Sequence, residues 1–293
     1  MRRSARPTLA VLLGVLALGL SGQSVIAAGE SEVDTQFIFG FTQGADVGEL
    51  GEREIEHQTI ARLGKRDGSY TALSEQLRYE LTPVENFRFE LGAPLTYFRI
   101  ANVAGLDDRR QWAFDGLVAE MRYRLLDRER APFGLTIGAE PHWSRTDEVS
   151  GEPVQNYGGD LSLVLDKELI EDRVYAALNL VYDPEVTRFR FDGSWERQAT
   201  TGTFVALTTQ VVPDVFFGAE ARYLRQYQGL DLGRFAGEAL FVGPTMFIRF
   251  SKTLAISGAW NFQVAGRAAT APGALDLTNF ERQQALLRLE YNF

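Results

Sequence analysis

The chain has 293 residues, 45% of them hydrophobic, a formal net charge of −9 and no cysteine. Past its first residues it has no run of about 18 apolar residues, which excludes a protein that crosses a membrane with helices. The lack of cysteine excludes disulfides and thiolate metal sites, and the acid excess removes any electrostatic reason to bind nucleic acid.

Arg2, Arg3 and Arg6 precede an apolar run from Leu9 to Leu20, and Val25-Ile26-Ala27 supplies a small-residue cleavage pattern. Residues 1–27 therefore read as an export signal, with a mature start near Ala28. An exported chain without cysteine suits the bacterial envelope. Residues 28–53 stand apart. They are acidic and polar, then alternate through Phe37, Phe39 and Phe41, then become Gly-rich in GADVGELGER. An arm, an extra strand or a plug with the three Phe folded inward is expected here. Asp46, Glu49 and Glu52 offer oxygen ligands for a hard cation, but their spacing matches no loop motif, so no metal is expected.

From residue 54 the apolar residues recur at every second position, the period of a strand with one greasy and one polar face. Ile55, Thr59, Ala61 and Leu63 share one parity. Leu77, Tyr79 and Leu81 follow, opposed by Gln76, Arg78 and Glu80. Phe87, Phe89, Leu91, Ala93, Leu95 and Tyr97 oppose Arg88, Glu90 and Thr96; Leu117 to Leu125 oppose Glu120, Arg122 and Arg124. Phe133 to Trp143 oppose Thr136, Glu140 and His142. Leu161, Leu163 and Leu165 come next, then Val174 to Tyr182. Near Pro184 the apolar set passes to Phe189 and Phe191, which predicts a bulge or loop there. Residues 201–211 are β-branched and ambiguous in face. Phe217 to Tyr223 oppose Glu220 and Arg222, and Leu240 to Phe250 and Leu254 to Val264 follow. In the last segment Ala285, Leu287, Leu289, Tyr291 and Phe293 oppose Arg288 and Glu290.

This makes twelve strands over residues 54–293, or fourteen if two are merged near Pro184. Most have the length of a tilted bilayer crossing, and short turns (TPVEN, VPDV, SKT) alternate with long polar loops. An all-β, antiparallel transmembrane β-barrel is the predicted fold, with a short N-terminal arm or plug. A soluble β-sandwich is the rival. Pro94, Pro141 and Pro244 inside predicted strands count against either unless each sits at a bulge. Tyr79, Tyr97, Trp143, Tyr182, Trp260 and Tyr291 near strand ends read as interface aromatics.

The closing strand resembles that of Gram-negative outer-membrane β-barrels, whose assembly machinery recognises an alternating strand ending in Phe. That resemblance implies an outer-membrane location and makes Tyr291 and Phe293 the assembly signal. The run FGFTQGADVGELGEREIEHQTIARLGKRDGSY is similar to a group of proteobacterial barrels of uncharacterised function. More distantly the chain resembles barrels grouped with aromatic (phenol) degradation pathways, which implies uptake of hydrophobic compounds.

Within a barrel, the polar parity lines the lumen. The candidates are Arg78, Glu80, Arg88, Glu90, Glu120, Arg122, Arg124, Glu140, His142, Glu220, Arg222, Arg288 and Glu290. Their R-x-E and E-x-R spacing predicts an ion-pair network across the lumen with like charges kept apart. His142 and Ser144 share a parity, as a hydrolase pair would, but no Asn completes the cluster in sequence and a lumen-lining His is the plainer reading. His57 falls on the apolar parity, at an interface or a register slip. No cofactor is expected; the partners expected are outer-membrane lipid, lipopolysaccharide and the barrel-assembly machinery. The leading function is a passive channel or uptake porin for small or hydrophobic solutes. A non-transporting structural barrel is the alternative, and a lipid-modifying enzyme is third.

Overall fold

A computed structural model describes residues 33–293; the export signal expected over residues 1–27 lies outside the described residues. Thirteen strands follow one another: β1 (Arg53–Leu63), β2 (Ser69–Val84), β3 (Phe87–Ala101), β4 (Arg109–Phe114), β5 (Gly116–Leu126), β6 (Gly134–Thr146), β7 (Pro153–Ile170), β8 (Val174–Phe189), β9 (Trp195–Val212), β10 (Val215–Gln228), β11 (Arg234–Ser251), β12 (Leu254–Ala268) and β13 (Gln283–Asn292). Every pairing is antiparallel, and β1 closes on β13. β4 and β5 both pair with β3 and are one stave interrupted at Asp115, so the barrel has twelve staves. The fourteen-strand alternative does not occur.

The distribution of polarity is inverted relative to a soluble protein. Leu77, Leu91, Leu117, Leu161, Val205 and Leu289 face outward, each at least 42% exposed, while Arg88 and Arg122 inside are 1% exposed. A sandwich would bury the leucines and expose the arginines. A barrel in lipid does the opposite, since lipid tails are as apolar as the side chains they touch. The period of two in the sequence is what permits this, sending alternate residues to opposite faces. The ambiguous strand sorts the same way: Val205 and Leu207 face out, Ala206 and Thr208 in.

Both ends of the barrel chain lie at the end of the short turns. There Asn86 (φ 64°) and Asp214 (φ 64°) take the left-handed conformation of tight hairpins, which Asn and Asp tolerate best among residues with a side chain. The opposite end carries the connections 64–68, 102–108, 147–152, 190–194, 229–233 and 269–282. Most of these are shorter than the sequence suggests, because strands such as β7 and β9 run 18 residues; the connection 269–282 is not.

The prolines are accommodated without the expected bulges. β8 keeps one register against both neighbours past Pro184, so the parity does not slip there. Instead the β7–β8 ladder skips from Gly158↔Glu185 to Leu161↔Tyr182. Pro141 lies at a similar skip between β5 and β6, Pro244 at one between β11 and β12, and Pro94 beside the β4–β5 break. Pro lacks an N–H, so a ladder that omits two residues costs little at that place. Phe189 and Phe191 suggested a slip only because they lie at the strand's far end, where Phe191 is 79% exposed in a loop.

Candidate functional site

All thirteen lumen candidates come from the inward parity of their strands. Arg78 and Glu80 lie on β2, Arg88 and Glu90 on β3, Glu120, Arg122 and Arg124 on β5, and Glu140 and His142 on β6. Glu220 and Arg222 lie on β10, and Arg288 and Glu290 on β13. The ion pairs do not reach across the lumen, as the spacing suggested. They run along one wall: Arg78 is 3.0 Å from Glu90 and 2.8 Å from Glu140, and Arg88 contacts Glu90 and lies 3.2 Å from Glu120. On the adjoining strands Arg288 is 3.2 Å from Glu56.

Nor are like charges kept apart. The register sets Glu54 opposite Glu80, Glu80 opposite Glu90, and Glu90 opposite Glu120. Continued through the Pro141 skip, the same row reaches Glu140, which faces Asp160 on β7, and then Asp183 on β8. Seven successive staves thus place a carboxylate in one row that climbs from the turn end to the upper lumen. Directly opposed like charges destabilise a sheet, and arginines offset this at the lower end, where Arg78 and Arg88 sit on the flanking diagonals. At the upper end the basic group is His142, whose Nε2 is 3.0 Å from Asn156 Oδ1 and 3.4 Å from Glu185. Glu54, Asp160, Asp183 and Glu185 were not among the sequence candidates. Their inward parity was readable, but the false slip at Pro184 hid Asp183, and a row appears only once the register is known.

Asn156 does stand beside His142, contrary to the sequence expectation. However, no hydrogen bond joins His142 to Ser144, and both face the lumen rather than lipid.

Residues 33–52 form no strand. They occupy the lumen as a folded plug, paired through the backbone of Gly51 and Glu52 to Thr82 and otherwise held to the wall through side chains. Ile38 and Phe39, both 0% exposed, pack with Tyr175, Ala206, Phe216 and Phe247. Phe37 lies under Arg288, 4.0 Å from ring centre to guanidinium, and Phe41 under Arg222 at 3.8 Å; both are cation–π contacts in a site shielded from water. Gln43 exchanges two hydrogen bonds with Asn179: its amide donates to Oδ1 (2.7 Å) and its carbonyl accepts from Nδ2 (2.8 Å). Gly40 (φ +89°) turns the segment where a Cβ would lie 2.8 Å from Thr245, so only glycine fits. The three carboxylates weighed as cation ligands do not converge: Asp46 faces Arg124 and Arg128, while Glu52 accepts from the Glu49 amide.

At the opposite end two loops bend inward. Tyr70 donates to the Val149 carbonyl (3.0 Å) and Arg109 to that of Gly151 (3.0 Å), drawing loop 147–152 over the mouth. Loop 269–282 inserts Phe280 against Phe241 and is tied by Lys65 to Glu281 at 3.1 Å, both buried. Burial alone would raise the Glu281 carboxyl; Lys65 and Arg62 outweigh it and hold the group below its ordinary value.

Two predicted outward features remain. His57 does not sit at a register slip, since β1 keeps one register against both β2 and β13. It lies opposite Leu77 and Leu289 on the lipid face, 3.1 Å from Glu75, which also accepts from Thr59 at 2.6 Å. Tyr291 and Phe293 stack outward at the turn end, and the Phe293 amide donates to the Arg53 carbonyl.

Solved structures share this architecture. An outer membrane channel of Pseudomonas putida F1, described as COG4313, superposes with a TM-score of 0.58 at 16% identity, covering 85% of this chain and 98% of that one. The porin NanC gives 0.49 at 12% identity, covering 82% and 98%. A KdgM porin described in complex with disordered oligogalacturonate gives 0.43 at 13%, covering 82% and 99%. At these identities the likeness is one of fold. No curated protein matches the sequence. A family model described as a family of unknown function (DUF6662) matches residues 31–293.

Proposed function

The chain belongs to the DUF6662 family of unknown function, and since membership assigns no activity, we propose from the lumen itself that it is a passive outer-membrane channel closed at rest by its own N-terminal plug. The observation that carries this is the climbing row of carboxylates inside a barrel whose outside is apolar. A sealed structural barrel has no need of an ionisable row climbing its lumen wall, whereas a conduction path for small polar solutes, cations before anions, does. The fold shared with an outer membrane channel supports the location and the class. The plug suits a gate. Its backbone meets the wall only at its root, where Gly51 and Glu52 pair with Thr82, and the rest is held through side chains, so among the described residues it can leave without breaking the barrel ladder.

Catalysis at His142 is not part of this reading: its Nε2 is engaged by Asn156 and Glu185, and Ser144 lacks the bond to a base that a nucleophile needs. A non-transporting structural barrel is the second reading. It is favoured by the obstruction of both ends, the plug at one and loops 147–152 and 269–282 at the other.

Planar-bilayer recording of the mature protein and of a form lacking residues 28–52 separates the two. Rare or small openings in the first and steady, cation-selective conductance in the second are expected. Silence in both, from protein that still shows a heat-modifiable band, removes the channel and leaves the structural barrel.

A further inference from the structure

The outer wall carries a charge asymmetry that the lumen does not explain. The chain is acidic overall, at −9, yet its outward face at the loop end is the reverse. Arg99, Arg110, Arg188, Arg197, Arg225 and Arg267 face outward there, and among the described strand residues of that rim Glu238 is the one outward carboxylate.

Arg99 and Arg110 are the extreme case. They are directly opposite each other on β3 and β4, and both are exposed. Such a like-charge pair weakens a sheet unless something neutralises it. Nothing among the described residues does. Arg99 faces Thr71 on its other side, β4 forms a strand ladder with β3 alone, and neither guanidinium has a carboxylate within 4.0 Å among the described residues. The nearby Asp108 is turned into its loop, accepting from the Asn102 amide at 2.7 Å. Arg110 is held in place by donating from Nε to the Tyr97 hydroxyl at 3.2 Å, leaving its outer fork free.

The depth is equally specific. The next outward pair toward the membrane is Tyr97 and Trp112, with ring centres 5.2 Å apart. Below it lie Leu95 and Phe114, 41% and 46% exposed. Paired aromatics of this kind mark where lipid tails meet headgroups. The arginines stand two residues beyond, about 7 Å along the strand, at headgroup depth. Two guanidinium forks at that depth match a phosphate monoester, which presents several acceptor oxygens and more than one charge.

We infer that Arg99 and Arg110 form a docking site for the phosphorylated glycolipid of the outer leaflet. One phosphate bridges the two guanidiniums, and acyl chains lie on Trp112, Phe114 and Leu95. The site rests on the outer-membrane reading above, but not on the channel. It settles the like-charge pair with a partner from the membrane, and Arg188, Arg197 and Arg225 continue the same cationic rim around the barrel, while Arg267 is paired with Glu238 at 3.2 Å.

The test is native mass spectrometry of the detergent-purified, heat-modifiable barrel, offered bis-phosphorylated lipid A, the same lipid dephosphorylated, or phosphatidylglycerol. The wild-type protein is expected to retain bis-phosphorylated lipid A and to release the other two. Arg99→Gln with Arg110→Gln is expected to weaken retention about ten-fold or more, the scale of losing charge-assisted bonds. Arg66→Gln, in an exposed loop, is expected to leave retention unchanged. Equal retention of the dephosphorylated lipid or of phosphatidylglycerol, no adduct on the wild type, or full retention by the double variant overturns the site. A protein without a heat-modifiable band instead overturns the barrel reading on which it stands. The comparison of the three lipids on wild-type protein decides the matter even if the double variant fails to fold.

Discussion

Thr42 gives both its backbone amide and its hydroxyl to one carboxylate oxygen of Glu220, each at 2.8 Å. The other oxygen accepts from the Phe41 amide (3.2 Å) and from Asn261 Nδ2 (2.7 Å). One buried wall carboxylate therefore holds the centre of the plug with four donors. Glu220→Ala leaves all four unpaired, a loss of about 3–5 kcal/mol. The expected outcome is plug release: more frequent openings in bilayer recordings and protease cleavage within residues 33–52. Glu220→Gln, which keeps one acceptor oxygen, is expected to fall between. Equal conductance in all three proteins would mean the plug is no gate.

A second prediction concerns the upper end of the carboxylate row, where Glu140 faces Asp160 and the register leads on to Asp183. Unlike the lower end, it has no arginine beyond the one bound by Glu140. Asp160→Asn with Asp183→Asn removes two ionisable carboxyls at nearly constant volume. In the form lacking residues 28–52, reversal potentials under a KCl gradient are expected to move toward zero. An unchanged potential would exclude this row as the ion path.

How much of this was legible beforehand depended on whether the information was local. Alternation is local, so Leu91 against Glu90, or Leu289 against Arg288, already told inside from outside, and all thirteen lumen candidates could be chosen by parity. Register is not local. Whether Glu80 meets an arginine or Glu90 depends on hairpin turns and on the closure of β1 on β13, and R-x-E spacing within one strand says nothing of it. Pro184 misled for a related reason. A missing N–H can be met by a bulge, which shifts parity, or by a skipped ladder, which does not, and the sequence is the same for both. The plug was hard to read because its bonds go to residues dozens of positions away or more, as those of Gln43 to Arg122 and Asn179 do.

The pH dependence of the mouth follows from Lys65 and Glu281. The Glu281 carboxyl is held below its ordinary value in the folded protein. A depressed carboxyl stabilises the fold above the unfolded value, and that contribution is lost as pH falls through the folded one. Loop 269–282 is therefore expected to stay closed at neutral pH and to loosen only below the ordinary carboxylate range. Hydrogen exchange of its amides across that range checks this. Glu281→Gln is expected to give a loop that exchanges faster at neutral pH and no longer responds to acid.

Phe293 closes the barrel at the turn end, its amide bonded to the Arg53 carbonyl and its ring 6.4 Å from that of Tyr79. Its deletion removes one bond at the β1–β13 seam and the outermost aromatic of the closing strand. The heat-modifiable fraction in the outer membrane is expected to drop, with unfolded chain accumulating. A normal level would show that Tyr291 suffices as the assembly signal.

The His57–Glu75 pair gives the sharpest stability prediction, because it lies among lipid-facing residues where charge is costly. The two side chains and Thr59 satisfy one another, at 3.1 Å and 2.6 Å. Removing one member leaves the others without a partner in an apolar surrounding. Glu75→Leu is thus expected to destabilise the barrel by about 1–3 kcal/mol, although it makes the outer surface more apolar. His57→Leu added to it removes a second polar group, and paired leucines beside Leu77 and Leu289 match the surrounding belt. The double variant is expected to return to within about 1 kcal/mol of the wild type or to exceed it, as buried ion pairs often do when replaced whole. Urea unfolding in lipid vesicles measures each corner of the cycle. A double variant as weak as the sum of its singles would mean that this pair meets another polar partner at the membrane rather than lipid alone.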